Sequence, residues 1–147
     1  MQWLGIPLVI VAGVLNAVES GTNAQLAKSL GSPWPAAIVV ALVGLVGVTV
    51  AMAFVGNSWP GMDKIASVPW WAWIGGLFGA AYVLAMLSFA EQLGAALFTG
   101  LSVTAAIVAS VVLDHFGWVG FKPHALNVWR ALGAALMIGG VGLIARF

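Results

Sequence analysis

Four polar side chains interrupt the first apolar stretch of the chain: Asn16, Glu19, Ser20 and Asn23. Their spacing is i, i+3, i+4, i+7, which on a helix places an amide, a carboxyl, a hydroxyl and a second amide on one face. The residues before them, from Trp3 to Leu15, carry no charge. A carboxylate at bilayer depth is costly unless it is paired, hydrated or protonated. A carboxyl so placed can hold a proton in one state and a cation in another. Glu19 is therefore the leading candidate for substrate and proton binding, with Asn16, Ser20 and Asn23 orienting it or bonding the solute. Two plainer readings compete. Helix 1 could stop early, leaving Glu19 at the interface, but residues 24–30 would then form a short segment with nowhere to go. Alternatively a protonated Glu19 bonds Asn16 or Asn23 as interhelical glue.

Other chemically able residues are few. Tyr82 lies mid-helix, where its hydroxyl needs a partner; it either faces the Glu19 cavity or packs in the core. Trp73 could form an aromatic wall for a cation, although lipid-facing packing suits it better. Glu91 falls near a helix end and belongs among the headgroups. Asp114 and His115 are adjacent, so on a helix they point about 100° apart and do not chelate one ion easily. A structural role fits better, with Asp114 pairing to Lys122 or Arg130 near the interface. His124 is the one further imidazole, too few ligands for zinc. There is no cysteine, which rules out disulfides and thiolate chemistry. No nucleophile elbow or phosphate loop is present. The sequence therefore predicts no enzyme, no metal and no cofactor.

The elements that must position these residues follow from composition. Hydrophobic residues make up 63% of the chain and charged residues 6%, against about 25% charged in ordinary soluble domains. This is an all-α integral membrane protein. A net charge of +1 with no basic cluster argues against a nucleic-acid partner. The N-terminus lacks the positive region of a cleavable signal peptide. Apolar runs between turn signals predict five transmembrane helices over about 4–29, 35–55, 70–91, 94–116 and 125–145, forming one domain over 1–147. Pro7 is tolerated in the first turn of helix 1. The connection after the second helix holds Asp63 and Lys64. Helices 3 and 4 are joined by a very short turn and read as an antiparallel hairpin. Tryptophans 3, 34, 59, 70, 71, 118 and 129 fall near helix ends, where interfacial Trp belongs. Small residues recur at four-residue spacing in Gly75/Gly79, Gly100/Thr104 and Ala135/Gly139, a pattern that lets helices approach closely in lipid. Lys64, Lys122 and Arg130 fall on one side of the bilayer, Lys28 and Arg146 on the other. So weak a bias permits insertion in both orientations.

Several motifs, in order, resemble the YdcZ family of the drug/metabolite transporter superfamily. They are Asn23-Ala-Gln-Leu26 followed by Leu30-Gly-Ser-Pro-Trp34, then Gly76-Leu-Phe-Gly-Ala-Ala-Tyr-Val83, then Leu93-Gly-Ala-Ala96. After these come Leu113-Asp-His-Phe-Gly117, Arg130-Ala-Leu-Gly133 and Gly139-Gly-Val-Gly142. The resemblance covers nearly the whole chain. It implies a multi-pass protein of the bacterial inner membrane, a small transporter working as two oppositely oriented five-helix halves. Two positions depart from that pattern: Glu19 stands where the family has Gln, and Ala105-Ala106 where it has a Gly-Gln pair.

The expectation is a secondary transporter built as an antiparallel ten-helix homodimer in the lipid bilayer. It moves a small cationic or zwitterionic, partly apolar solute by proton exchange at Glu19. Asp114, His115, Arg130, Gly75, Gly79 and Gly139 are expected to serve structure and interfaces. The rival readings are an accessory membrane subunit, which should tolerate Glu19→Gln, and a channel. A channel needs a continuous polar lining, and the second and fifth helices offer almost none.

Overall fold

The computed structural model describes residues 2–147, with side chains from Gly5 onward. The side chain of Trp3 therefore lies outside the described residues. The described chain is all-helical. The long helices are α1 (Gln2–Leu30), α2 (Pro33–Val55), α5 (Gly75–Leu93), α6 (Ala95–Phe116) and α7 (Val128–Arg146). Between α2 and α5 lie two short helices, α3 (Met62–Ala66) and α4 (Trp70–Trp73). A 3₁₀ turn occupies Trp118–Gly120. With α4 and α5 counted as one run, five segments among the described residues are long and apolar enough to cross a bilayer: Gly5–Leu30, Pro33–Val55, Trp70–Leu93, Ala95–Phe116 and Val128–Arg146.

The boundaries have local causes. Ser32 is extended and its Oγ accepts from the Trp34 amide, while Pro33 occupies the first helical turn. Pro33 and Pro35 are thus absorbed in the first turn, where no amide donor is missed. The second helix consequently starts two residues before its predicted position, and the turn from α1 shrinks to Gly31 and Ser32. Gly56 closes α2 in the left-handed region (φ 69°), with the Asn57 amide returning to the Met52 carbonyl at 3.2 Å. That is the glycine stop that helices commonly use. The predicted third helix is divided at Ile74, where the amide bonds Trp71 in a tighter turn. The connection expected to be a loop also contains α3, which follows Gly61 without a side-chain cap.

The fifth helix begins at Val128, three residues later than predicted. Residues before it are held away from helical geometry. The His124 amide bonds the Asp114 carbonyl at 2.7 Å, and Asn127 caps the helix by accepting from the Arg130 amide at 2.9 Å.

The chain divides into two compact units, Val18–Gln92 and the remainder. In the first unit, the small core is made by Ala27 of α1, Ala36 of α2 and Leu87 of α5, with Leu26, Ala37 and Val83 packed around it. Small alanine side chains at this junction suit the packing by which helices associate when lipid supplies no hydrophobic drive between them. Met86 and Ala90 are also buried. In the second unit, α6 packs on α7. A Cβ placed on Gly100 would lie 3.2 Å from Cγ2 of Val141, so the glycine permits the contact. Gly75, Gly79 and Gly139 have open space where a Cβ would stand.

Most remaining large apolar side chains are exposed, including Leu8, Ile10, Leu42, Leu45, Leu136 and Ile138. Soluble proteins do not expose so continuous an apolar surface; on membrane-spanning helices it is available to lipid and to other helices. Some hydroxyls on the long helices are satisfied within their own helix. Thr49 donates to the Leu45 carbonyl and Ser88 to the Leu84 carbonyl, each at 2.7 Å, as hydroxyls in hydrocarbon must.

Candidate functional site

Glu19 sits within about a turn of the midpoint of the Gly5–Leu30 span. Helix α1 continues through it without a break to Leu30, so the early stop at residue 18 does not occur. Its Oε1 accepts from Nδ2 of Asn23 at 3.2 Å, one turn on. Thr22 donates back to the Glu19 carbonyl at 3.0 Å.

The predicted polar face is divided. Ser20 and Asn23 are buried, at 1% and 8% exposure. Asn16 is half-buried, and Glu19 is exposed on the single chain. Neighbouring positions on a helix differ by 100°, so Ser20 can turn inward while Glu19 turns out. Asn23, between them, is buried yet still reaches the carboxylate. The Ser20 hydroxyl is buried with no hydrogen-bond partner among the described residues, and the same holds for Thr99 and Thr104 on α6. Thr104 was legible in the sequence only as a small residue spaced four from Gly100, and Thr99 carried no signal beyond membership of an apolar run.

Tyr82 is partly exposed at 38% and Trp73 is exposed. Neither lines the groove of about 470 Å³ in the first unit, which runs between α2 and α5 past Trp34, Ala37, Ala41, Gly76, Gly79 and Val83. Glu91 forms an ion pair with Lys28 at 2.8 Å. That pair lies beside Ser32 and Ser88 in a smaller cleft of about 320 Å³. Sequence reasoning placed Glu91 at the membrane edge but did not connect it with Lys28, because their separation of 63 residues carries no periodic signal.

At the far end of α6 the polar residues form one cluster. Asp114 pairs with Arg130, the side chains being 22% and 29% exposed. Arg130 also donates to the His124 carbonyl at 2.8 Å. His115 accepts from the Leu126 amide at 3.0 Å and meets the Phe116 ring edge-on. Of the two partners considered for Asp114, the structure supplies Arg130. The adjacent Asp114 and His115 side chains engage different groups, as their angular separation requires. Gly117 makes the turn possible: its φ is +64°, and a Cβ there would stand 2.8 Å from Cγ of Pro123.

Five apolar spans, a mid-span carboxyl bonded to an amide, and braced connections define a small multi-pass α-helical membrane protein. The family model described as "Putative inner membrane exporter, YdcZ" matches residues 4–143. The chain belongs to this family of inner-membrane proteins. It is 28% identical over 146 residues to the Inner membrane protein YdcZ of Escherichia coli (strain K12), covering 99% of this chain and 97% of that one. No solved structure matches it.

Proposed function

We propose that the protein is a secondary transporter that exchanges protons for a small cationic or zwitterionic, partly apolar solute at Glu19. Family membership supports transport as the class of activity, and the proposal assigns the chain no catalysis. The observation that carries the mechanism is the setting of Glu19. It lies near the middle of a membrane span, keeps acceptor capacity beyond its bond to Asn23, and faces outward from the single chain.

A carboxyl facing hydrocarbon at that depth is costly. A second copy covering it removes the exposure. Two oppositely oriented copies would place two Glu19 carboxyls in one central cavity, as inverted halves do in many secondary transporters. Two ionised carboxylates in one cavity would oppose each other. A bound cation stabilises the ionised form and expels protons. Acidification refills the carboxyls and releases the cation. Solute and protons thus compete for one site, and a proton gradient drives exchange. Asn23 holds the carboxylate, while Tyr82 and Trp73 offer apolar surface to the organic part of the solute.

The test is binding and liposome exchange with a panel of small quaternary ammonium and zwitterionic solutes across pH. Affinity for a cation should fall as pH falls, and Glu19→Gln should remove both that dependence and coupled exchange. A solute whose coupled movement keeps its pH profile in Glu19→Gln would make the carboxyl structural and defeat the mechanism.

A further inference from the structure

The connection between α6 and α7 is tied down by two histidines in opposite protonation arrangements. A backbone amide can only donate, so the 3.0 Å bond from the Leu126 amide requires a lone pair on Nδ1 of His115. The ring is therefore neutral, with its proton on Nε2. Nδ1 of His124 lies 2.8 Å from the Lys122 carbonyl, which can only accept, so that nitrogen carries its proton. A second proton on His124 leaves its bond intact. A second proton on His115 sets two donors against each other.

The charged and titratable groups around this end are accounted for. On the same helix, Asp114 is engaged by Arg130 of α7. Arg130 is shared with the His124 carbonyl. On the connection itself, Lys122 uses its carbonyl for His124, and the His124 amide reaches the Asp114 carbonyl at 2.7 Å. His115 is exposed, so protons from solvent reach it. These neighbouring bonds do not depend on the His115 lone pair, which leaves the Leu126 tie as the one that protonation breaks.

We propose that the His115–Leu126 bond is a proton-released latch that holds residues 117–127 against the end of α6. The sign follows from the acceptor. The bond contributes while the ring is neutral and is lost when the ring takes up a second proton. The latch is separate from Glu19 and stands whether or not that carboxyl couples transport.

Amide hydrogen exchange at Leu126, measured on the full chain in detergent and corrected for the intrinsic rate at each pH, tests it. Protection should fall about five- to tenfold between pH 8 and pH 5, the scale of one hydrogen bond. His115→Asn supplies an acceptor oxygen that does not titrate, and should keep Leu126 protected at both pH values. His115→Leu should leave it unprotected at both. His124→Asn retains a donor and should show the wild-type fall. Flat protection in the wild type overturns the latch, as does a fall that persists in His115→Asn. Should His115→Asn not fold, the His115 ring ¹⁵N shifts of the wild type decide: a proton on Nδ1 at neutral pH overturns the proposal, and a proton on Nε2 alone supports it.

Discussion

Glu19 and Asp114 are both carboxylates on spanning helices, and their neighbours give them different tasks. Asp114 meets a guanidinium that also braces the His124 carbonyl, so it is committed to structure. An ionised carboxyl has about four acceptor positions, and Asn23 occupies one at Glu19. The remaining capacity is what a cation or a proton can use. Asn23→Ala should therefore weaken cation binding while leaving its pH dependence in place, a split readable by calorimetry at two pH values. Breaking the Asp114–Arg130 pair should act on stability. Arg130→Ala leaves a partly buried carboxylate and a carbonyl without their donor, and should cost about 2 kcal/mol, seen as a lower unfolding temperature in detergent. Lys28→Ala should shift that temperature little, because its pair with Glu91 is more than half exposed (62% and 57%), where such pairs contribute little.

At the scale of helices, glycine has two separate uses. Gly100 is consumed within the chain by its approach to Val141 at α7. Gly100→Leu should overpack that contact and destabilise the single chain by about 1–3 kcal/mol. Gly139 on α7 has open space instead. Gly139→Leu should leave the folded chain intact and, if that face meets a second copy, reduce assembly. Thermal unfolding together with size analysis in mild detergent separates the two, and unchanged assembly in Gly139→Leu would assign that face to lipid. Gly117 is needed for both its backbone and its room. With φ at +64° and Pro123 so near, Gly117→Ala should cost about 2 kcal/mol and loosen the start of α7.

For the whole molecule, orientation in the membrane is governed by a weak charge bias. The five cationic side chains divide three to two by predicted side, far from the excess that fixes a topology. The chain has no cysteine, so single cysteines report cleanly. A cysteine replacing Lys64 in α3 should be labelled by impermeant reagents from both sides of the membrane if copies insert both ways. Labelling from one side alone would remove the antiparallel pair while leaving proton-coupled transport open. A two-copy assembly also fits the exposure of Glu19 on one chain, since assembly would enclose a group that lipid tolerates poorly.

Composition and turn chemistry alone determined the five spans. Apolar runs of bilayer length bounded by Gly31-Ser-Pro, Gly56-Asn and Gly117 leave the backbone no other way to satisfy itself in hydrocarbon. Helix ends drifted by a few residues where a local cap decided them: Ser32 drew α2 back to Pro33, and Asn127 delayed α7 to Val128. The spacing of Asn16, Glu19, Ser20 and Asn23 was legible because helical periodicity is a local property. How that stripe divides, with Ser20 buried and Glu19 outward, was not, because it depends on which neighbours cover α1. The same holds for Lys28 with Glu91, the choice of Arg130 over Lys122, and the tie from His115 to Leu126. Each joins residues with no periodic relation, and only the packed chain brings donor and acceptor within reach.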